Sequence, residues 1–144
     1  MIALALALVT VTGAWSRPAF DTAVVYATLH DAGRRPVALV GASSPVARTA
    51  ELHQSTTTPG GAMHAGTMNP GTMTGMNMPV MAMHPVSRIV VPPHGTTALH
   101  PGGYHIMLLG LRHPLRAGER FPVTLRFSDG ERVTVSVAVE NRAM

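Results

Sequence analysis

Cysteine is absent from the 144 residues of this chain. That excludes a disulfide framework, a thiol nucleophile and a thiolate-held metal site. Lysine is absent as well, and all eleven basic residues are arginine. Apart from Arg34-Arg35 they are scattered singly, without the basic stripe or aromatic platform that nucleic acid requires, so no nucleic-acid partner is expected. Acidic residues number seven, and none lies between Glu51 and Glu119, which leaves that half of the chain without carboxylates for a hard-cation site or for general-base catalysis. Aromatic residues make up 4% of the chain. Long helical periodicity is missing, and the one extended apolar run, residues 2–9, is too short to span a bilayer.

What the chain does contain is ten methionines and eight histidines, with seven of the methionines between Met63 and Met83. Thioether sulfur selects Cu(I), whereas Ca²⁺, Mg²⁺ and Mn²⁺ prefer oxygen, and Zn²⁺ prefers thiolate, imidazole or carboxylate. A thioether carries no proton to lose and forms no disulfide. Methionine therefore keeps its affinity for Cu(I) in an acidic or oxidising compartment, and the expected setting is outside the cytoplasm, in the periplasm. The run at residues 2–9 agrees, since Ala5-Leu6-Ala7 has the small-x-small pattern of a signal-peptide cleavage site. Residues 1–8 are accordingly expected to be the remnant of a truncated signal, and membrane contact to occur only through a partner or an uncleaved N-terminus.

β-branched runs punctuated by Gly and Pro predict strands over 9–15, 23–29, 37–40, 50–53, 88–91, 97–99, 104–109, 122–127 and 132–139. The last pair carries the strongest local signal. Ser128-Asp129-Gly130-Glu131 is an Asp-Gly hairpin turn, and Val133, Val135, Val137 and Val139 alternate with small or polar residues to make one apolar face. This pattern predicts an all-β, two-sheet sandwich comprising a single domain over 9–140. Residues 54–79 interrupt it with Gly, Pro, Ser and Thr and the near-repeat Gly66-Thr67-Met68, Gly71-Thr72-Met73, Gly75-Met76. They are expected to form a long, flexible, Met-rich insertion.

His105 and Met107 stand two apart on a predicted strand and so share a face. Taken alone, the pair fits an ordinary strand with a buried Met and an exposed His. The wider context is more specific. Gly41-Ala42-Ser43-Ser44-Pro45, Glu51-Leu52-His53, Met81-Ala82-Met83 before Pro85-Val86, and Pro101-Gly102-Gly103-Tyr104-His105-Ile106-Met107-Leu108-Leu109-Gly110-Leu111 resemble the PCu(A)C family of periplasmic copper chaperones. The resemblance also takes in Trp15-Ser16-Arg17-Pro18 and Tyr26-Ala27-Thr28-Leu29, and it extends over nearly the whole chain. It implies a cupredoxin-like fold and a Cu(I) site built from a His (or Met), ten residues, a Met, twenty-one residues, and then His-x-Met.

Carried over by position, the implied ligands are His53, Met83, His105 and Met107. Twenty-one residues separate Met83 from His105, matching the pattern, whereas twenty-nine separate His53 from Met83. The surplus of nineteen corresponds to the Met-rich insertion, and a loop can lengthen by that much at a closure cost that grows only logarithmically. Met73 or Met81 could stand in for Met83. Met63, His64, Met68, Met73, Met76 and Met78 offer a second, looser set of copper donors, with low-complexity drift as the plain alternative.

The resemblance implies a protein that is not an enzyme. It would deliver Cu(I) to an acceptor protein, such as cytochrome c oxidase or another copper chaperone. Two rivals remain open: a copper buffer or resistance protein that stores ions in the Met-rich loop, and a metal-free sandwich that mediates protein contacts. A zinc hydrolase lacks support, since the chain contains neither His-Glu-x-x-His nor Gly-x-Ser-x-Gly. A blue-copper electron carrier would need the cysteine that the chain lacks.

Overall fold

The computed structural model describes residues 8–58 and 80–142. Among them are ten strands: β1 (Val9–Ser16), β2 (Thr22–Asp31), β3 (Val37–Ser43), β4 (Ala47–Thr58), β5 (Val80–Pro85), β6 (Ile89–Val91), β7 (Thr96–Leu99), β8 (Tyr104–Leu111), β9 (Arg120–Phe127) and β10 (Arg132–Val139). The all-β expectation holds. The two layers are joined in one hydrogen-bonded ladder, in the order β5-β4-β8-β7-β2-β1-β10-β9-β3-β6, with β8 also pairing directly with β2. The ladder curls until β3 packs near β4, and the apolar faces of both halves meet in a single core.

Alternation decides which side chains enter that core. Ile106 and Leu108 of β8 are fully buried there, together with Val25 and Leu29 of β2, Leu39 of β3, Ile89 of β6, and Val123 and Leu125 of β9. The intervening residues of each strand, His105 and Met107 on β8 and Val24 and Tyr26 on β2, consequently lie on the other face of the sheet.

The hairpin between β9 and β10 forms where the Asp-Gly signal placed it. Gly130 takes a φ of 92°, a left-handed conformation that costs glycine nothing. The Asp129 carboxylate accepts from the Glu131 amide at 2.9 Å. At the N-terminal end of the described chain, the Leu8 amide donates to the Glu131 carboxylate at 2.7 Å. Its carbonyl accepts from the Ala32 amide at 2.8 Å. The other residues of the 1–8 segment lie outside the described residues.

The register of β1 against β2 shifts between Thr12 and Trp15, at a bulge where Gly13 has a φ of 65°. Past the bulge, Trp15 pairs with Tyr26, and the two rings pack at a tilt of 41° with centroids 5.0 Å apart. An extra residue in one strand re-aims the side chains that follow it. Here the effect is to bring the indole next to Tyr26.

The predicted boundaries of the Met-rich insertion need correction. Residues 54–58, assigned above to the flexible segment, continue β4, and 80–85 form a strand that the sequence pattern did not suggest. Gln54 to Thr58 pair antiparallel with His84 to Val80. Their run of Thr is β-branched and suits an extended chain, and the ladder satisfies backbone groups that a loop would leave to solvent. Residues 59–79, with the rest of the proposed insertion, lie outside the described residues.

Leu108→Ala should destabilise the protein by about 2–5 kcal/mol, the usual effect of deleting a fully buried leucine side chain. Chemical denaturation should show a lower midpoint with an unchanged slope.

Candidate metal centre

β4 lies between β5 and β8, and its register brings two distant histidines face to face. His53 is directly opposite His105 in the β4–β8 ladder, with the ring centroids 5.6 Å apart and the planes inclined at 35°. The sequence suggested that His53 sits at a strand end. It sits instead in mid-strand, paired with Pro85 on one side and His105 on the other. Both rings are withdrawn from water, His53 at 8% exposure and His105 at 1%. Tyr26 contributes to this cover, its ring meeting that of His105 edge-on at 6.4 Å.

Hydrogen bonding selects the tautomer that each ring adopts when neutral. His53 Nε2 lies 2.8 Å from the Glu51 Oε1 atom. An ionised carboxylate can only accept, so the proton is on Nε2 and the lone pair is on Nδ1. His105 Nδ1 lies 3.3 Å from the Gly103 carbonyl oxygen. The carbonyl likewise only accepts, so this proton is on Nδ1 and the lone pair is on Nε2. The two lone-pair nitrogens, His53 Nδ1 and His105 Nε2, are buried and have no hydrogen-bond partner among the described residues. Buried polar atoms are nearly always satisfied, and two orphaned acceptors on facing rings require an explanation. An electrophile held between them provides one.

The thioethers stand around this pair. Met107 pairs with Glu51 on one side and with Val24 on the other, two residues along the same face of β8 from His105. Met83 pairs with Ser55, two residues along β4 from His53, so it sits diagonally from that ring. Long side chains reach across such diagonals. Met83 is 50% exposed and borders an open groove of about 220 Å³ whose other lining includes Arg17, Pro18, Val24 and Tyr26.

All four residues expected from the sequence therefore lie on three adjacent strands of one sheet region. Met81 pairs with Thr57, a step further from His53, and Met63, His64, Met68, Met73, Met76 and Met78 lie outside the described residues. His84 neighbours Met83 in β5 and, by alternation, takes the other face. His94 sits in the β6–β7 turn, where its amide donates to the Gly33 carbonyl at 3.2 Å, beyond the far end of β2. Neither joins the pair. Among the described residues, no three His, Cys, Asp or Glu side chains cluster as a metal site, so a zinc-type donor set is not assembled among them.

Two contributors were not anticipated from the sequence: Tyr26 as part of the cover, and the carboxylate of Glu51 as partner to His53. The second had a signal in Glu51-x-His53, a strand spacing that puts both side chains on one face.

Comparison with known proteins identifies the family and the fold. The model of the LpqE-like family, described as "Putative lipoprotein LpqE-like", matches residues 9–73 and 65–139. The chain belongs to the LpqE-like family. A relative from Leifsonia xyli subsp. xyli, named "Putative lipoprotein Lxx21020", is 34% identical over 134 residues, covering 92% of this chain and 70% of its own length. Among solved structures, the fold matches the copper-bound PCuAC domain from PmoF2 with a TM-score of 0.68 at 21% identity, over 99% of this chain and 100% of that one. CuI-DR1885 from Deinococcus radiodurans matches with a TM-score of 0.62 at 32% identity, over 96% of this chain and 81% of that one. The PCu(A)C resemblance and the cupredoxin-like fold thus hold for this LpqE-like chain.

Burial pushes the His105 pKa below its usual 6.5; the Gly103 carbonyl opposes the shift and the neighbouring His53 adds to it. The folded state then binds fewer protons than the unfolded one at mildly acidic pH. This contribution to stability is complete above about pH 6.5 and diminishes as the pH falls from there toward the depressed folded value. Metal-free protein should show a falling Tm between about pH 7 and about pH 5, with a shallower decline in His105→Asn. An equal decline in both proteins would show that His105 does not carry the effect.

Proposed function

We propose that this protein is an extracytoplasmic copper chaperone that holds Cu(I) through His53, Met83, His105 and Met107 and passes it to an acceptor protein. The observation that carries the reading is the pair of facing, buried imidazoles whose lone-pair nitrogens have no partner among the described residues, flanked on the same face by two thioethers. Ring centroids 5.6 Å apart are at a separation that two nitrogen–metal bonds of about 2 Å each, together with the roughly 1 Å from each ring centre to its nitrogen, can span. Two neutral imidazoles and two thioethers make a soft, uncharged set suited to Cu(I), whereas Cu(II) prefers tetragonal nitrogen and oxygen donors. A copper-bound PCuAC domain and CuI-DR1885 among the similar structures support copper as the cargo.

The set is graded in exposure, which suits handover by ligand exchange. The histidines are deep, and Met83 is half in solvent at the groove, where an incoming donor from an acceptor could displace it first. Nothing in this exchange calls for a nucleophile or a substrate pocket, and the protein is read as a carrier without enzymatic activity. The lipoprotein names of the family and of the Leifsonia relative support an envelope setting outside the cytoplasm. The periplasm is the specific compartment proposed, and the copper centre of cytochrome c oxidase, or another copper chaperone, is the proposed acceptor.

One observation favours a second reading. Seven methionines between Met63 and Met83 exceed the needs of one four-coordinate ion, and they would suit a periplasmic copper buffer or resistance protein. Stoichiometry separates the two: one tightly held ion per chain supports delivery, and several support storage.

In competition with a Cu(I) chelator, His105→Ala combined with Met107→Ala should raise the Kd by more than about 100-fold, beyond what loss of an outer-shell contact typically produces. X-ray absorption at the copper edge of the loaded wild-type protein should show a mixed sulfur and nitrogen shell. Unchanged affinity in the double variant would exclude this ligand set.

A further inference from the structure

We propose that Glu51 is a positioning residue for copper: its carboxylate holds His53 in the one tautomer and ring orientation that present Nδ1 to the ion. The inference rests on the ligand set proposed above and adds a residue to it that does not itself touch the metal. Glu51 and His53 are two apart on β4 and share a face. The Glu51 side chain is 48% exposed while the His53 side chain is 11% exposed, so the carboxylate stands at the solvent side of the ring and binds it from there.

A neutral imidazole has two tautomers, and a ring flip about χ2 exchanges the place of each nitrogen with that of a ring carbon. The Glu51 contact at 2.8 Å removes both freedoms, because only an Nε2–H directed at the carboxylate makes a charge-assisted bond. The remaining nitrogen, Nδ1, is the buried one without a partner among the described residues. Carboxylate–histidine–metal relays of this kind fix the ring and raise its basicity as a ligand.

The two histidines are held unequally. His105 donates to a neutral backbone carbonyl at the longer distance of 3.3 Å, whereas His53 donates to a full negative charge. That charge lies across the ring from Nδ1 and would act on a Cu⁺ ion through the imidazole, by making it a stronger donor. His53 is on this account the more strongly donating imidazole of the pair. Glu51 further stands directly across the ladder from Met107, so the same residue borders two members of the ligand set.

The test uses metal-free and Cu(I)-loaded full-length chain. Long-range ¹H–¹⁵N NMR of the apo wild-type protein should show His53 with a protonated Nε2 and an unprotonated Nδ1. Glu51→Ala should give a tautomer mixture at His53 and weaken Cu(I) about 10–100-fold in chelator competition. Glu51→Gln, which keeps a carbonyl acceptor without the charge, should retain the tautomer and recover part of the affinity. Glu51 is half-exposed, and unchanged circular dichroism is expected in both variants.

Wild-type tautomer and wild-type affinity in Glu51→Ala would overturn the role of Glu51 alone, provided that His53→Ala still weakens binding. Wild-type affinity in His53→Ala would overturn the ligand set, and the role of Glu51 with it.

Discussion

The pairing of His53 with His105 across the β4–β8 ladder is the constraint on which the rest of the site depends. Their backbones are registered by the sheet, so the rings are held together by main-chain hydrogen bonds and not by an affinity for each other. Two buried lone-pair nitrogens without donors among the described residues are unfavourable in the metal-free protein. The fold tolerates them because the cost is spread over a core in which Ile106 and Leu52, the inward neighbours of these histidines, are buried and packed. Donors set in advance on a rigid sheet lose little freedom when an ion arrives, which is the general advantage of a preorganised site.

Much of this was legible in the sequence. The Asp-Gly hairpin, the valine alternation of β10 and the extended run around His105 each obey a local rule, and local rules survive folding when the side-chain pattern agrees with burial. His53 was harder to place, because neither its position in mid-strand nor its partner across the ladder has a local signature. β5 was not legible at all. Val80-Met81-Ala82-Met83-His84 has no polar–apolar alternation, and its strand character comes from pairing with the threonines that end β4. The same tertiary effect drew Gln54 to Thr58 out of the predicted loop. The curling of one continuous ladder into two layers depends on which strands meet at the turn of the sheet, information that is spread over the chain.

The departure from the family spacing also has a physical account. His53 and Met83 belong to neighbouring antiparallel strands, and residues added beyond Thr58 and before Val80 lengthen the connection of a hairpin whose stem stays in register. The stem sets the geometry of the site, so sequence distance between the two residues carries little information about their distance in space. Spacing within β8, where His105 and Met107 are joined by the strand itself, has no such freedom. That part of the pattern is kept.

Among the described residues the ladder ends at β5 and β6, and a strand with unpaired amides along one side invites another chain to zip onto it. Both ends are short and close to proline. β6 has three residues and runs directly into Pro92-Pro93, while β5 ends at Pro85. A ring in place of an amide hydrogen gives an incoming strand nothing to accept from at those points. The scaffold can thus present a half-buried methionine on its outermost strand while discouraging the edge-to-edge stacking that leads to aggregates.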